Sequence, residues 1–453
     1  MKSLRSALFA TGFLLACGSS ILMAQNFSDV KPSAQQTAWQ DLEFGVILHF
    51  STNTFLDREW GDGTADPSVF NPTQFDPDQW MKAIRDSGAK YVVLVAKHHD
   101  GFCLWPTEQT PYSVKSSPWK GGKGDLVGEV ARAARKYGLQ FGVYLSPWDR
   151  HEPKYKDSAA YDDYYQAELS ELASRYGDLV EFWLDGAGSE GHVYDFTRYI
   201  RTLRTYQPNT MIFADVGLLP YADIRWVGNE DGTANEENWN VVDAYQILRW
   251  RPAEADTPLR DGQWFWHPNA EDKLKPLDKL MEIYHQTVGR GAQLVLGLAP
   301  DNRGLLPDVD VRRLTEFGAE VKRLYGQGLL RERAFAVSGH PDSSIGPENA
   351  CQYVTWMQGS PVTFDRAVIM EDLTEGQRIR KYAILGRVGN EMRTIASGTT
   401  VGHKKIDIFP PVTVDMLVLE VRGALGIPRI RKFDVYMGGK SGETRAVRPD
   451  QKK

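Results

Sequence analysis

Two short motifs place chemically versatile side chains directly after apolar runs. Residues 91–95 are apolar and lead into a lysine, the adjacent pair His98 and His99, and an aspartate. A second apolar run ends in Phe182-Trp183-Leu184 and is followed at once by Asp185 and a glycine. Strands of a parallel α/β barrel are apolar, and such barrels place their reactive groups at the carboxyl ends of the strands. A histidine pair and a lone carboxylate at two such ends, with tryptophans nearby, indicate a sugar-binding hydrolase.

The position of Asp185 leaves several roles open: nucleophile, general base, metal ligand or helix N-cap. The N-cap is the simplest of these, because Gly186 and a turn follow. Other polar and aromatic side chains at or just after predicted strand ends favour a pocket, since side chains at this end of a barrel converge. These side chains are His49, Glu59, Trp60, Tyr144 and Trp148.

A metal site is the main alternative for the histidines. Adjacent residues on a strand point to opposite faces, so His98 and His99 are poorly placed to bind one ion unless the strand has already ended. The sequence also contains no HxH or HExxH spacing and no CxxC pair. We therefore expect no metal and no other cofactor, and we expect these histidines to bind hydroxyl groups of a neutral ligand.

Glycoside hydrolysis requires a second carboxyl group on the other side of the scissile bond. Glu230 follows the predicted strand Ile224–Val227 and is the first candidate. Asp231, Glu236 and Glu237 lie in the same polar loop, and spacing alone does not choose among them.

Eight short apolar segments alternate with amphipathic ones, which predicts βα units and a parallel sheet. The number of strands and the length of this region match a (β/α)₈ barrel, with an open doubly wound sheet as the alternative. We assign residues 25–330 to this α/β domain. The predicted strands are Phe44–Phe50, Tyr91–Ala96, Gln140–Ser146, Val180–Leu184, Met211–Asp215, Ile224–Val227, Val241–Ile247 and Gln293–Leu298, and the clearest helices are Asp78–Ser87, Leu126–Tyr137 and Ala160–Tyr176.

The pattern changes after residue 330. Short alternating runs separated by turn residues predict an antiparallel β-sandwich over 331–453, ending in a short basic tail. We expect this domain to pack tightly on the barrel and to support it rather than to bind carbohydrate.

The first 24 residues predict a bacterial-type secretory signal peptide, because Lys2 and Arg5 precede an apolar run that ends at Ala24. Two processing outcomes are open. Cleavage after Ala24 would release a soluble protein, whereas the lipoprotein-like segment Leu14–Gly18 would leave a lipid anchor on Cys17. Both outcomes predict an exported protein, located in the periplasm or at the cell surface.

Composition argues against two further classes of protein. A net charge of −6 without a basic cluster disfavours nucleic acid as a partner. Only Cys103 and Cys351 remain once the signal peptide is removed, and two cysteines in so long a chain are not a disulfide framework.

Taken together, these motifs resemble glycoside hydrolase family 29, the retaining α-L-fucosidases, from about Trp39 to Met437. The resemblance implies that Asp185 is the nucleophile and that the fucose ring is held by the surrounding polar and aromatic side chains. The motifs that carry the resemblance are Phe44-Gly45 to His49-Phe50, Glu59-Trp60, His98–Phe102, Trp148, Trp183–Gly186 and Arg290-Gly291 to Gly304. The residues implied to hold fucose are His49, Glu59, Trp60, His98, His99 and Tyr144, with Trp148 beside them.

Glu230 follows Gly228-Asn229 and lies 45 residues after Asp185. This arrangement is similar to the branch of the family that acts on α-1,3/1,4-linked fucose in Lewis-type glycans, and it implies that Glu230 is the acid/base. The resemblance further implies that Trp266 forms an aromatic wall and that Glu254 contacts the leaving-group sugar. The partners implied are fucosylated oligosaccharides or glycoproteins.

Two other classes stay open at this stage. One is a lectin-like protein that has lost catalysis, against which the intact pair Asp185 and Glu230 argues. The other is a retaining glycosidase for a different sugar, such as an α-galactoside, because the barrel alone does not select the substrate.

Overall fold

The computed structural model describes residues 27–189, 191–214, 222–244, 247–330, 336–338, 351–356 and 361–439. The predicted signal peptide with Cys17, and the basic tail, lie outside the described residues. Within the described part of the chain, no helix is both long enough and apolar enough to cross a membrane.

Eight parallel strands form the first domain, in the order β5-β4-β3-β2-β1-β10-β9-β6. One parallel bridge between Phe213 and Ile224, the residue before the last strand of this order, links the two outer edges, so the sheet forms a nearly closed barrel. The predicted barrel is therefore confirmed over the open-sheet alternative. The barrel strands are β1 Phe44–Leu48, β2 Tyr91–Lys97, β3 Gln140–Leu145, β4 Glu181–Leu184, β5 Met211–Ala214, β6 Arg225–Trp226, β9 Ala253–Pro258 and β10 Gln293–Leu298.

The helices begin where the sequence supplies caps. Aspartates at 76, 125, 157 and 195 and a serine at 33 each accept a hydrogen bond from the backbone of the following turn, which satisfies otherwise unpaired N–H groups. The three predicted helices are present with ends displaced by at most two residues. The α-helices are α1 Ala34–Gln40, α2 Thr52–Leu56, α3 Pro77–Asp86, α4 Leu126–Lys136, α5 Ser158–Arg175, α6 Phe196–Tyr206, α7 Leu277–Thr287 and α8 Asp308–Tyr325.

One predicted barrel strand is misplaced. The segment Val241–Ile247 is not in the barrel: β7, Val241–Ala244, pairs with β8, Ile247–Trp250, in a separate antiparallel ribbon. The barrel strand is β9, which reads Ala-Glu-Ala-Asp-Thr-Pro and is buried throughout. β9 is not marked by an apolar run in the sequence. Its inward residues include two carboxylic acids, and its outward residues are the small Ala253, Ala255 and Thr257.

The inward residues of β9 include Glu254, which has no exposed surface and lies beside Glu181 of β4. Glu254 therefore lies within the barrel core and cannot contact a leaving-group sugar, which corrects the assignment made from the sequence. Burial raises the pKa of both carboxyls, and the charge of Glu181 raises the pKa of Glu254 further. Glu254 is the protonated member, and it donates a hydrogen bond to Glu181. The indoles of Trp39 and Trp183 also donate to Glu181, at 3.0 and 2.6 Å.

This arrangement predicts that the two glutamates respond differently to the same substitution. In Glu254→Gln the amide N–H₂ still donates to Glu181, so we expect the free energy of unfolding to fall by less than about 1 kcal/mol. In Glu181→Gln an N–H group replaces one of the oxygens that accept from the indoles, at an expected cost of roughly 1–3 kcal/mol. Urea unfolding of both variants measures the difference, and equal costs would contradict the proton assignment.

Within the described residues, the second domain contains two antiparallel sheets, as the sequence predicts. One sheet has the order β11-β12-β17-β14-β15 and the other β16-β13-β18. Apolar side chains from both sheets, such as Phe364, Ile384 and Leu419, meet in one core between them. The strands are β11 Ala336–Ser338, β12 Cys351–Trp356, β13 Val362–Glu371, β14 Ile379–Val388, β15 Glu391–Gly398, β16 Lys405–Val414, β17 Met416–Ala424 and β18 Ile430–Tyr436.

The sandwich supports the loop that follows β6. Gln377, which is buried, accepts hydrogen bonds from the backbone and side-chain amides of Asn240 at 2.9 and 3.0 Å, and it donates to the carbonyl of Asn238 at 3.3 Å. A bridge between Arg290 and Lys405 adds a backbone contact between the domains. The loop is thus held between the two domains.

Candidate active site

A cavity opens at the carboxyl ends of the barrel strands. It brings together eight of the residues singled out in the sequence: His49, Glu59, Trp60, His98, His99, Tyr144, Asp185 and Glu230. The remaining lining residues include Trp264 and Asp256, which the sequence did not single out. The side chains that follow the barrel strands therefore do converge on one cavity.

Asp185 follows the last residue of β4 and directs its carboxylate to the cavity. The hydroxyl of Tyr144 donates to its Oδ2 at 2.8 Å, and the backbone N–H of Ala187 donates to its Oδ1 at 2.9 Å. The next helix, α6, begins only at Phe196 and is capped by Asp195, so Asp185 is not a helix N-cap. Two donated hydrogen bonds stabilise the ionised carboxylate.

His99 is oriented by a serine that the sequence did not reveal. Its Nδ1 lies 2.7 Å from the hydroxyl oxygen of Ser146, which itself lies 2.8 Å from the carbonyl oxygen of Trp148 and 3.2 Å from that of Asp185. Because a hydroxyl has one hydrogen, Ser146 donates to a carbonyl and accepts from the Nδ1–H of His99. This leaves Nε2 of His99 facing Asp185, 3.8 Å from its Oδ2.

The other two histidines are neutral. Burial lowers the pKa of His49 to about 3 and that of His98 well below its ordinary value. Their rings pack against aromatic neighbours, with His98 stacked 6.0 Å from Tyr144 and His49 lying 5.1 Å from Trp264, measured between ring centroids. Neutral imidazoles in an aromatic setting suit a ligand that offers hydroxyl groups rather than charge.

Trp60 and Trp148 form the open side of the site. Trp60 lines the mouth of the cavity and is 49 % exposed. Trp148 does not line the cavity; its ring packs against those of Trp60 and His99 at 5.4 and 5.0 Å. Trp148 therefore fixes two residues that do face the cavity.

Glu230 is the loop acid that reaches the cavity, while its rivals Asp231, Glu236 and Glu237 do not line it. It is exposed at the rim, where Nε1–H of Trp264 donates to its Oε2 at 3.2 Å. Four residues after Glu230, the backbone N–H of Ala234 donates to the backbone carbonyl of Gln286 at 3.0 Å, which fixes this loop. The geometry thus makes the choice among the four acids that spacing could not make.

The aromatic wall assigned to Trp266 is formed by Trp264, two residues earlier in the chain. The indole of Trp264 lies over Gly297, where an added Cβ would come within 2.5 Å of the ring. Gly297 therefore leaves the space that this tryptophan occupies. Trp266 is half-buried but does not line the cavity.

Asp256 is a third carboxyl group of the cavity, and it lies on the strand that the sequence analysis missed. It is 5 % exposed and accepts a hydrogen bond from Nε1–H of Trp226 at 2.5 Å. Burial, together with the negative charges of Glu230 and Asp185, raises its pKa to about 7. The signal that could have found it is the alternation of Glu254 and Asp256, which places both on the inner face of one strand.

The raised pKa of Asp256 predicts a pH-dependent effect on stability. Its folded-state pKa is raised from 3.8 to about 7, so its contribution to stability is fully present below pH 3.8 and is lost as the pH rises through about 7. Asp256→Asn should match the wild type in free energy of unfolding near pH 4 and exceed it by roughly 2–4 kcal/mol above pH 8. Urea unfolding across this range measures the difference, and a gap that does not change with pH would contradict the prediction.

Among the described residues, no group of three or more histidines, cysteines or acids is arranged to hold a metal ion. The groups that line the cavity are carboxyls, imidazoles, the hydroxyl of Tyr144 and indoles. The carboxyls are those of Asp185, Glu59 and Asp256, with Glu230 at the rim. These groups can bind a neutral polyhydroxylated ring and can supply a nucleophile and a proton donor to it.

Comparison with known proteins gives one consistent result. The family model described as α-L-fucosidase matches residues 65–325. The chain is 37 % identical over 456 residues to α-L-fucosidase 1 of Arabidopsis thaliana, which covers 91 % of this chain and 89 % of that protein.

Solved structures agree with the sequence comparisons. A candidate α-L-fucosidase of Bacteroides ovatus superposes with a TM-score of 0.82 at 34 % identity, covering 94 % of this chain and 76 % of that chain. A family 29 fucosidase of Ruminococcus gnavus, solved in complex with fucose, superposes with a TM-score of 0.81 at 28 % identity and covers 91 % of this chain and 96 % of that one.

Proposed function

The chain belongs to the α-L-fucosidase family, glycoside hydrolase family 29, and from this premise we propose that it is a retaining exo-α-L-fucosidase that removes terminal α-1,3/1,4-linked fucose from Lewis-type glycans. The observation that carries the proposal is the position of Asp185 and Glu230 in one cavity with three histidines. One carboxyl group is held by two donors inside the cavity, and the other stands at its rim, where a leaving group would depart.

In the proposed mechanism Asp185 attacks the anomeric carbon. A C–O bond forms between its carboxylate and that carbon, while the glycosidic bond breaks and Glu230 gives its proton to the departing oxygen. The hydrogen bonds from Tyr144 and Ala187 support this role, because they keep the carboxylate ionised and fix its direction. In the second step Glu230 takes a proton from water, the water oxygen bonds to the anomeric carbon, and Asp185 is released.

Recognition of fucose is assigned to the polar and apolar groups that line the cavity. Fucose is a 6-deoxy sugar, so its hydroxyl groups need hydrogen-bonding partners while its methyl group needs an apolar surface. We assign the hydroxyl groups to the imidazoles, to Glu59 and to Tyr144, and the apolar contacts to Trp60, Trp183 and Trp264. All of these residues line the cavity.

The exported location remains a proposal that depends on residues 1–24. A basic start followed by an apolar run supports it, with either a soluble form or a lipid anchor on Cys17. The partners proposed with it are fucosylated oligosaccharides or glycoproteins.

The experiment that tests the function is fucose release from three substrates: a Lewis-type trisaccharide, 2′-fucosyllactose and an aryl fucoside. Rapid release from the branched trisaccharide with little from the other two is the expected result. Comparable release from all three would overturn the linkage specificity, and release from none would overturn the proposed activity in favour of a lectin or another glycosidase.

Retention is tested separately by following the anomer of the released fucose by NMR at early times. The proposed mechanism yields the α-anomer first. Initial appearance of the β-anomer would overturn the covalent intermediate on Asp185.

A further inference from the structure

His267 lies between two carboxylates at the edge of the cavity. Its Nδ1 is 2.5 Å from Oδ1 of Asp57, and its Nε2 is 2.5 Å from Oε1 of Glu59. A neutral imidazole has only one N–H group, so only the imidazolium form donates to both partners. The structure therefore contains a charged clamp that joins the loop after α2 to the loop after β9.

Glu59 transmits this contact to the backbone. Its Oε2 accepts a hydrogen bond from the N–H of Trp264 at 2.9 Å, and its Oε1 accepts one from the N–H of Phe265 at 3.3 Å. The carboxylate of Glu59 is thus held by His267 on one side and by two backbone amides on the other. Hydrogen bonds to charged groups are stronger than neutral ones, so this short segment is firmly fixed.

The fixed segment in turn carries the indole that reaches Glu230. Trp264 lies 5.1 Å from His49 between ring centroids, and its Nε1–H donates to Oε2 of Glu230 at 3.2 Å. An unbroken series of contacts therefore runs from His267 through Glu59 and Trp264 to Glu230.

We propose that His267, in its imidazolium form, is a positioning residue that holds Glu59 against the backbone of residues 264–265 and thereby holds Trp264 beside Glu230. This inference rests on the proposed function, in which Glu59 binds the sugar and Glu230 moves the proton. His267 acts through both residues and does not itself line the cavity.

The clamp depends on the charge of the imidazole. Burial opposes that charge, but hydrogen bonds and attraction from Glu59 and Asp57 outweigh it, so the pKa of His267 is raised above its ordinary 6.5. These two carboxyls are the groups in direct contact with its ring nitrogens. The hydrogen bond from His267 to Glu59 is present at acidic and neutral pH and is lost as the pH rises through this pKa. The neutral ring has only one N–H group, so one of the two carboxylates then faces a ring nitrogen that carries no proton.

The test compares four variants by the pH profile of kcat/KM for fucose release. Asp57→Asn removes one of the two charges and should move the alkaline limb to lower pH by roughly one pH unit, with activity at pH 5 within about twofold of the wild type. His267→Gln should lower kcat/KM at neutral pH by roughly 10–100-fold, mainly through KM, because the sugar-binding Glu59 loses its cationic partner and the neutral amide no longer bridges the two carboxylates. His267→Arg keeps a permanent cation and should restore most of the activity without the limb that depends on His267.

Asp62→Asn is the matched control. Asp62 lies on the same loop as Asp57 but is bonded to Thr64 and Arg58 instead of His267, so its replacement should leave the alkaline limb in place.

A second readout does not require turnover. NMR titration of the His267 ring, assigned by its absence in His267→Gln, should show a pKa above 6.5 in the wild type and a lower one in Asp57→Asn. The pH profile of kcat/KM in Asp256→Asn should still have an alkaline limb, and adding Asp57→Asn should still move it to lower pH. This result would assign the limb to His267 rather than to Asp256.

Failure of the inference and failure of the proposed function give different results. If the wild type releases fucose but Asp57→Asn and His267→Gln both keep its profile, the positioning role is overturned. The positioning role is also overturned if three results occur together: His267→Gln lowers activity equally at all pH values, His267→Arg does not restore it, and the His267 ring has the same pKa in the wild type and in Asp57→Asn. The role of His267 would then be only structural. If no substrate is cleaved, the proposed function fails, while the ring titration still decides whether the clamp is charged.

Discussion

Replacement of Asp185 by alanine is expected to lower kcat/KM for fucose release by roughly 10⁴-fold or more, because the proposed covalent intermediate can no longer form. The folded protein should persist. The side chain of Asp185 is 23 % exposed, and the hydroxyl of Tyr144 that loses its acceptor faces a cavity that water can enter. Fucose release and thermal unfolding, measured on the same preparation, separate the two effects.

Asp195→Ala is the matched control for this variant. Asp195 also follows β4, but its carboxylate caps α6 by accepting from the N–H of Arg198 at 3.0 Å. Its loss should cost roughly 1 kcal/mol of stability and leave kcat/KM within a few-fold of the wild type. Near-normal activity in Asp185→Ala, or a comparable loss in Asp195→Ala, would contradict the nucleophile assignment.

Azide makes the assignment of Asp185 chemically specific. In Asp185→Ala the space left by the carboxylate admits a small anion, which can attack the anomeric carbon of an aryl α-L-fucoside directly. One C–N bond then forms as the aryl oxide departs, so the product is the β-L-fucosyl azide. The wild type, which keeps its own nucleophile, should not form this product.

The apolar strands of the barrel were predictable because the physics that buries them also marks them in sequence. Runs such as residues 91–95 are buried on both faces, so they contain no polar position to obscure the pattern. β9 could not be found in the same way. Its inner face carries Glu254 and Asp256. Their burial is tolerated because Glu254 donates a hydrogen bond to Glu181, and Asp256 accepts one from Trp226.

The same contrast applies to the site. Strand-end reasoning found Asp185 and the histidine pair because both directly follow β-strands. Ser146 also directly follows a strand, but its role depends on His99, which is distant in sequence and near only after folding. His267 follows no strand end, and its partner Glu59 is likewise near only after folding. Trp264 and Trp266 could not be distinguished either, because the choice depends on Gly297 leaving room for one ring.

Lys97 shows how much of a motif can be structural. It immediately precedes the histidine pair, yet it has no exposed surface and its Nζ pairs with Asp149 at 2.9 Å and Glu168 at 2.5 Å. A buried cation with two buried carboxylates ties the end of β2 to the segment that carries Trp148. This ion pair fixes the backbone directly before the two histidines that line the cavity.

Replacement of Glu230 by alanine is the second change with a large expected effect, and its size should depend on the leaving group. A general acid contributes roughly 10²–10⁴-fold, so release from a trisaccharide, whose leaving oxygen needs the proton, should fall by that factor. An aryl fucoside with an acidic phenol needs little protonation, and its first step should be nearly unaffected. Steady-state and burst kinetics with both substrates measure this difference, and an equal loss for both would contradict the role of Glu230.

Asp231→Ala is the matched control, because Asp231 is adjacent to Glu230 but does not line the cavity. It should keep activity on both substrates, and loss in this variant would transfer the role to the neighbouring acid. Azide then distinguishes the proposed nucleophile from the proposed acid/base. In Glu230→Ala the intermediate on Asp185 still forms, and azide, which needs no base, attacks it from the opposite face, so two inversions give the α-L-fucosyl azide. Opposite anomers from Asp185→Ala and Glu230→Ala would assign nucleophile and acid/base independently of any rate, whereas the same anomer from both would be incompatible with the proposed mechanism.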